Sequence, residues 1–192
     1  FSLSESVATD LRQRGFAVLD TAAVQALSGV GPDAFADWHA DWDLLPPDHY
    51  LRDGGRYRRR RHGCFVVRGE SVQAVPHRAH WQPVEYNALH GGIERWFEPM
   101  LASTSGRPDW LALLAWLGRV ASALRGDQPW FVEAHQFRID TEGGIGRPTP
   151  EGAHRDGVDL VAVFLMARVG IKGGETRVFG ANGPTGQRFT LT

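Results

Sequence analysis

The chain changes texture at Trp130, and this change constrains the fold more than any other feature. From there to Thr192, short apolar stretches alternate with turns rich in glycine and proline, and no helical periodicity is visible. The predicted strands are Phe131–Asp140, Val158–Val169, Glu175–Phe179 and Phe189–Thr192. Strands of this length and spacing are typical of β-sandwiches and jelly rolls. The pattern therefore predicts a mainly β core.

The sequence before Trp130 is mostly helical. Apolar residues at helical spacing predict helices ending near Gly15 and covering Pro32–Leu45, Ala88–Leu101 and Trp110–Leu124. Phe16–Leu19 is a short strand candidate, and Cys64–Arg68 with Val72–Val75 predicts a hairpin. We expect one domain over 1–192, with a helical part at about 1–125 flanking a β core mostly at 130–192. The sequence starts at Phe1 and stops inside a strand-like stretch, so we expect a protein truncated at its C-terminus.

Composition excludes several classes of protein. The single cysteine, Cys64, can form neither an internal disulfide nor a cysteine-based zinc site. No apolar run approaches the roughly 20 residues of a membrane helix. The formal net charge of -1 produces no overall field that favours nucleic acid or membranes. We expect a cytoplasmic protein with neither kind of partner and leave its oligomeric state open.

The most informative segment is the loop that carries His154 and Asp156. These residues are two apart, so on extended backbone both side chains point to the same face. One more histidine would complete the two-histidine, one-carboxylate set that binds iron and leaves coordination positions open. A His-x-Asp triplet also occurs by chance, and a turn with a solvated aspartate is the alternative interpretation.

A series of motifs along the chain strengthens the interpretation of His154 and Asp156 as metal ligands. The motifs are Arg56-Tyr57-Arg58-Arg59-Arg60-Arg61, His135-Gln136-Phe137-Arg138, His154-Arg155-Asp156-Gly157-Val158-Asp159, Gly173-Gly174-Glu175-Thr176 and Phe189-Thr190-Leu191-Thr192. This order resembles a bacterial family of iron(II)/2-oxoglutarate dioxygenases that includes the L-isoleucine 4-hydroxylase and the biofilm stress and motility protein. The resemblance covers about Arg56 to Thr192 and is strongest from His135 to Glu175.

The resemblance implies a fold, a metal and a reaction. The fold is a double-stranded β-helix, a cupin-like jelly roll, with helices packed outside. His154 and Asp156 match the first two metal ligands and thus the catalytic centre, with Fe(II) as cofactor and 2-oxoglutarate as cosubstrate. The reaction is hydroxylation of a free, aliphatic L-amino acid by dioxygen, with release of succinate and CO2. The alternative is a catalytically inactive jelly roll that binds a small molecule and keeps a partial metal site.

The resemblance also implies a distal histidine as third ligand, and after it an arginine that binds 2-oxoglutarate. Both would follow the segment Phe189 to Thr192. No histidine follows His154 in this sequence. We interpret this departure from the family pattern as truncation, with degeneracy as the alternative.

Arginines near the metal motif are candidates for binding carboxylates. Gln136 and Arg138 share a face of their strand, and a planar guanidinium binds a carboxylate in bidentate fashion. An ion pair of Arg138 with Glu133 or Asp140 is an equal alternative. Alternation within the arginine run places Arg58 and Arg60 on one face, where they can bind a substrate or cosubstrate carboxylate. A solvated surface is the alternative for at least half of the run.

The remaining histidines show no spacing that requires a metal. His135 faces away from Gln136 and is predicted to be a hydrogen-bonded structural residue. His77 and His80 could lie on one helical turn, but they follow Pro76 and lack a carboxylate at useful spacing. We therefore predict that both lie on the surface, and the spacing of His39, His49, His62 and His90 gives no reason to expect a metal.

Overall fold

The structure is a computed structural model that describes residues 3–87, 89–141, 143–150, 152–180, 183 and 185–191. The described residues fall into two compact units, which divide between Val161 and Ala162. The helices of the first unit are α1 (Leu3–Arg14), α2 (Thr21–Ser28), α3 (Ala34–Asp43), α4 (Ala102–Ser105) and α5 (Pro108–Arg125). Its strands are β1 (Arg58–Arg68), β2 (Ser71–Ala74) and β3 (Trp130–Ile139).

The sheet of the first unit is antiparallel in the order β2-β1-β3. The strand β1 turns at Gly69, whose φ of 55° suits glycine, and pairs with β2 in register Arg68↔Ser71. It also pairs with β3 over ten residues, from Arg58↔Ile139 to Val67↔Trp130. Successive side chains therefore leave β1 and β3 on opposite faces.

One face of the sheet is apolar at its centre and packs against α5. Phe65, Val67 and Ala134 from the strands join Leu114 and Met100 in a buried cluster. The helix approaches closely, because a Cβ at Gly118 would lie only 2.6 Å from Cγ1 of Val67. We call this the helix face; it carries the odd-numbered residues of β1 and the even-numbered residues of β3. Its apolar side chains hold the sheet against the helix.

The second unit contains a hairpin. The strands β4 (Thr176–Phe179) and β5 (Gly186–Phe189) pair in antiparallel fashion, from Thr176↔Phe189 to Phe179↔Gly186. The strands of the described residues do not close into a barrel. Within the same residues, no helix is long and apolar enough to cross a membrane.

Most predicted elements are confirmed, with shifted ends. Antiparallel strands with flanking helices match the predicted fold class, and the helices at the N-terminus, before Pro46 and before Gly126 are present. The hairpin around Gly69 and the strand after Trp130 are also confirmed. The helices α2 and α4 were not predicted. The last predicted strand overlaps β5 only at Phe189, while Thr192 lies outside the described residues.

Three predicted elements are wrong. The described residues of 88–101 form turns and isolated bridges instead of a helix, since His80 and Arg95 pair their backbones across this segment. Residues 16–19 and 158–169 form no strand. In the latter segment, Val158, Val163 and Val169 are exposed. A strand needs a hydrogen-bonded neighbour as well as an apolar pattern, and no described residue pairs with this segment.

Candidate metal centres

The second face of the sheet carries polar and aromatic side chains. We call it the histidine face; it contains the even-numbered residues of β1 and the odd-numbered residues of β3. Arg58, Arg60 and His62 alternate along β1, and the last two lie opposite Phe137 and His135 of β3. Arg58, Arg60 and His62 are buried. A row of buried polar groups on a sheet face is costly unless the groups satisfy one another or a ligand.

Four side chains on and beside this face bring metal-ligating atoms together. His62, His80, Glu133 and His135 each offer one such atom, and these atoms all lie within 4.8 Å of one another. His80 Nδ1 lies 2.8 Å from Glu133 Oε2, and His62 Nε2 lies 3.6 Å from Glu133 Oε1. The rings of His62 and His135 stack with centroids 4.7 Å apart and planes 21° apart. We call these four residues the histidine cluster.

The prediction that His80 lies on the surface is wrong, and His62, whose spacing in the sequence indicated no metal site, belongs to the same cluster. His62 and His80 are both buried, whereas His77 is exposed, as predicted. His80 does not lie on a helical turn with His77, because residues 75–79 are irregular and His80 pairs with Arg95. Its carboxylate partner, Glu133, comes from a strand 53 residues further along the chain. Spacing along the sequence could not show this contact.

Burial and neighbouring charges set the protonation of the cluster. Burial lowers the pKa of His80, and burial together with the guanidinium of Arg60 holds the pKa of His135 well below its usual value. Burial alone would raise the pKa of Glu133, but hydrogen bonds and charge interactions with His62 and His80 lower it to about 2. At neutral pH, His80 and His135 are therefore neutral and Glu133 is a carboxylate.

The histidine face also holds two buried arginines beside the cluster. Arg58 Nε donates to Asp48 Oδ2 at 2.7 Å, and Arg60 lies 3.8 Å from the same oxygen. The guanidinium carbon of Arg60 lies 3.6 Å from the ring centroid of Phe97 and 4.3 Å from that of Phe137. These two rings sandwich a cation, an arrangement that favours a desolvated guanidinium. The predicted shared face of Arg58 and Arg60 is confirmed by the strand register.

A second pair of candidate ligands lies in the loop before residue 158. His154 Nε2 and Asp156 Oδ1 are 3.5 Å apart, and the two side chains are 22% and 36% exposed. His154 Nδ1 lies 2.9 Å from the carbonyl oxygen of Gly152. A proton on Nδ1 donated to that carbonyl leaves the lone pair of Nε2 on the side of Asp156. We call His154 and Asp156 the loop pair.

The loop pair is tied to the rest of the first unit through Gln82. The amide nitrogen of Gln82 donates to Asp156 Oδ1 at 3.1 Å, and its oxygen accepts from Asn87 and Arg95 at 3.0 and 2.9 Å. Arg58 also lies 3.4 Å from the carbonyl oxygen of Pro148 in the same loop. Buried side chains of the first unit therefore hold a partly exposed loop.

The atoms of the loop pair suit a metal ion. Two donor atoms on one first-row metal lie roughly 3 to 3.5 Å apart when each bond is about 2.1 Å, and the measured separation is 3.5 Å. Metal-bound histidines commonly donate their second ring N–H to a carbonyl, and ligating carboxylates accept further hydrogen bonds. Gly152 and Gln82 supply both interactions. One nitrogen and one oxygen ligand on a short arm suit iron.

Gln136 and Arg138 lie on the helix face, opposite Arg58 and Arg60. Arg138 forms ion pairs at 2.8 Å with Asp43 and with Asp140, the second of which was the predicted alternative. Gln136 is 2% exposed, and neither of its side-chain polar atoms has a partner among the described residues. Both side chains leave the sheet on the face opposite to the one that carries Arg58 and Arg60.

The comparisons with known proteins support the family resemblance that the ordered motifs indicated. The family model of the 2OG-Fe dioxygenases matches residues 39–192. The crystal structure of a bsmA homolog from Methylobium petroleophilum PM1 is similar over 98% of this chain and 76% of that chain, with 55% sequence identity and a TM-score of 0.92. No functionally curated protein matches the sequence significantly.

A more distant similarity concerns the fold alone. The crystal structure of IDO from Bacillus thuringiensis matches 71% of this chain and 54% of that chain, with 14% identity and a TM-score of 0.51.

Proposed function

Because this chain belongs to the 2OG-Fe dioxygenase family, whose cofactor is Fe(II) and whose cosubstrate is 2-oxoglutarate, we propose that it hydroxylates a free, aliphatic L-amino acid. The proposal includes a cytoplasmic location and release of succinate and CO2. The amino-acid substrate class comes from the resemblance of its motifs to the family of the L-isoleucine 4-hydroxylase. The observation that carries the proposal is the loop pair, in which Gly152 orients His154 beside Asp156.

His154 and Asp156 are the residues that would hold the iron. When bound, Fe(II) with 2-oxoglutarate and dioxygen supplies the oxidation that places one oxygen atom on a substrate carbon. The chain's own task is to keep the two ligands oriented. The carbonyl of Gly152 fixes which nitrogen of His154 carries the proton, and Gln82 holds the carboxylate of Asp156.

Arg60 and Arg58 are the proposed carboxylate-binding residues on the histidine face. The Nε atom of Arg60 is buried without a hydrogen-bond partner among the described residues, so it retains a donor for a ligand oxygen. Phe97 and Phe137 cover the guanidinium and exclude water, which strengthens a charge-assisted hydrogen bond. Arg58 is held by Asp48, and it positions the loop through Pro148. From the helix face, Arg138 ties β3 to the end of α3 through its ion pair with Asp43.

Succinate release by the full-length protein tests this proposal. The assay supplies Fe(II), ascorbate, 2-oxoglutarate and a pool of free L-amino acids, with Asp156→Ala as the inactive variant. His49→Gln is the matched control, since His49 is an exposed histidine outside both groups of ligands. We expect succinate that depends on the amino-acid pool in the wild type and the control only. Removing amino acids from the pool one at a time then identifies the substrate.

Two outcomes contradict the proposal in different ways. Succinate production that is equal in Asp156→Ala excludes the loop pair as the iron site. A wild type that binds iron but releases no succinate with any amino acid favours the alternative of a binding protein.

A further inference from the structure

We propose that His62, His80 and Glu133 form a second site for a divalent first-row metal ion such as zinc, with His135 closing one side of it. The site shares no residue with the loop pair, and it goes beyond the proposed hydroxylation without depending on it. Two imidazoles and one carboxylate form a nitrogen and oxygen donor set that suits such ions.

The geometry around Glu133 supports the site directly. One carboxylate oxygen lies 2.8 Å from His80 Nδ1, and the other lies 3.6 Å from His62 Nε2. These separations are close to those between donor atoms that share a metal ion, roughly 3 to 3.5 Å. The three residues come from β1, β3 and the segment paired with Arg95, so the sheet brings the donors together before any metal binds.

His62 provides a second, independent observation. Its side chain is fully buried, and its Nδ1 has no hydrogen-bond partner among the described residues. A proton on Nδ1 would be buried without an acceptor, and a proton on Nε2 would leave a buried lone pair on Nδ1. Each choice leaves one buried polar atom of the imidazole without a partner, which is unfavourable. A cation bound by His62 Nε2 and Glu133 fixes the proton on Nδ1 and adds a metal–nitrogen bond that both metal-free states lack.

His135 has a different role from the other two histidines. The guanidinium of Arg60 donates to its Nδ1 at 2.7 Å. A neutral imidazole has one proton, which must then lie on Nε2, so neither nitrogen of His135 can bind a metal while Arg60 is in place. The ring instead stacks on His62 and fixes its plane. We therefore assign His135 as a positioning residue.

Arg60 places a positive charge beside the proposed site. Its cation lies beside the cluster and opposes a second cation, while Asp48 and Glu133 supply the negative charge that compensates it. We therefore expect a divalent ion to bind here by coordination to the histidine and glutamate atoms, and not by attraction to an excess of negative charge. This distinguishes it from a surface cluster of carboxylates.

Metal counting on the full chain tests the proposal, with Co²⁺ as the probe. The protein is stripped with a chelator, dialysed against Co²⁺ and analysed by mass spectrometry for bound metal. Asp156→Ala removes one ligand of the loop pair, so that metal bound there no longer contributes to the measured total. We expect this variant to retain one equivalent of Co²⁺, with at least tenfold weaker binding after His80→Gln is added. His49→Gln added to Asp156→Ala is the matched control and should change nothing.

The positioning role of His135 predicts a smaller effect. Adding His135→Gln to Asp156→Ala should weaken Co²⁺ binding less than tenfold, because the glutamine oxygen can still accept from Arg60. Loss as large as that of His80→Gln would overturn this assignment.

The folded state is checked by circular dichroism and by the Tm with and without Co²⁺. Co²⁺ should raise the Tm of Asp156→Ala, because an ion that binds only the folded state stabilises it. The increase should vanish in Asp156→Ala/Glu133→Gln, which provides the comparison if His80→Gln does not fold. The proposal is overturned if Asp156→Ala binds no Co²⁺, or if the variants lacking His80 or Glu133 bind it as tightly.

Discussion

The histidine cluster and the loop pair both contain imidazole nitrogens and carboxylate oxygens, but they lie on different kinds of backbone. The cluster lies on and beside two long paired strands, where His62 is buried and stacked on His135. The loop pair lies on irregular backbone with partly exposed side chains, and hydrogen bonds from outside the loop hold it. A sheet places side chains rigidly, while a loop leaves room for substrate around a metal. The two settings predict different consequences of mutation.

The largest expected effect is on activity at the loop pair. His154→Ala removes an iron ligand and should lower the rate of succinate release by at least about 100-fold, since even changes to the partners of metal ligands cost about 10–100-fold. Urea unfolding should show a change of less than about 1 kcal/mol in the free energy of unfolding, because the loop adds little to the core. A larger loss of stability would mean that the loop pair is structural.

The largest effect on stability is expected beside the histidine cluster. Asp48→Asn leaves the charges of Arg58 and Arg60 buried without a carboxylate, so it should lower the free energy of unfolding by about 3–5 kcal/mol. Glu70→Gln is the control, because Glu70 forms a comparably short ion pair with Arg119 on the surface. That variant should lose no more than about 1 kcal/mol. Equal losses of unfolding free energy in the two variants would contradict the expected difference between the buried and the surface ion pairs.

The helix face should tolerate little added volume. Gly118→Ala places a methyl group 2.6 Å from Cγ1 of Val67, and overpacking of this kind costs about 1–3 kcal/mol. Gly143→Ala is the control, since a Cβ there meets no other atom within 4 Å. Thermal unfolding should show a lower Tm for the first variant only. An unchanged Tm would mean that α5 can shift away from the sheet.

The smallest effect is expected at Tyr57, directly before β1. The Tyr57 hydroxyl donates to Asp53 at 2.6 Å, and burial together with this hydrogen bond raises the pKa of Tyr57 to about 12. The ordinary value is about 10, so the stabilisation is complete below pH ~10 and is lost as the pH rises to about 12. Tyr57→Phe should therefore cost about 1 kcal/mol at pH 7. Urea unfolding should show this difference shrinking between these pH values; a constant difference would contradict it.

Local patterns in the sequence predicted the elements that local forces determine. The helix α5 has apolar residues at helical spacing and proline at its first position, and β1 alternates up to a turn at Gly69. The alternation also predicted correctly that Arg58 and Arg60 share a face. Residues 158–169 show the limit of such reasoning, because their apolar run lacks a paired strand among the described residues.

The two groups of ligands differ in how far the sequence could reveal them. His154 and Asp156 are two residues apart and belong to a recognisable motif, and the structure places their donor atoms close together. The histidine cluster depends on the register His62↔His135 and on His80, which the sequence wrongly predicted to lie on the surface. The alternation of β1 and β3 was a usable signal for two of its members. Nothing in the spacing predicted His80 beside Glu133.

Isotope labelling of the reaction tests the central claim most directly, namely that the loop pair supports hydroxylation driven by 2-oxoglutarate. The wild type and Asp156→Ala are incubated with Fe(II), 2-oxoglutarate and the substrate under dioxygen that is enriched in a heavy isotope of oxygen. The products are then analysed by mass spectrometry. We predict that the wild type places one heavy oxygen atom in the hydroxylated amino acid and one in succinate, and that Asp156→Ala yields neither product. Labelled products at the same level from Asp156→Ala, or a hydroxyl oxygen derived from water, would contradict the account.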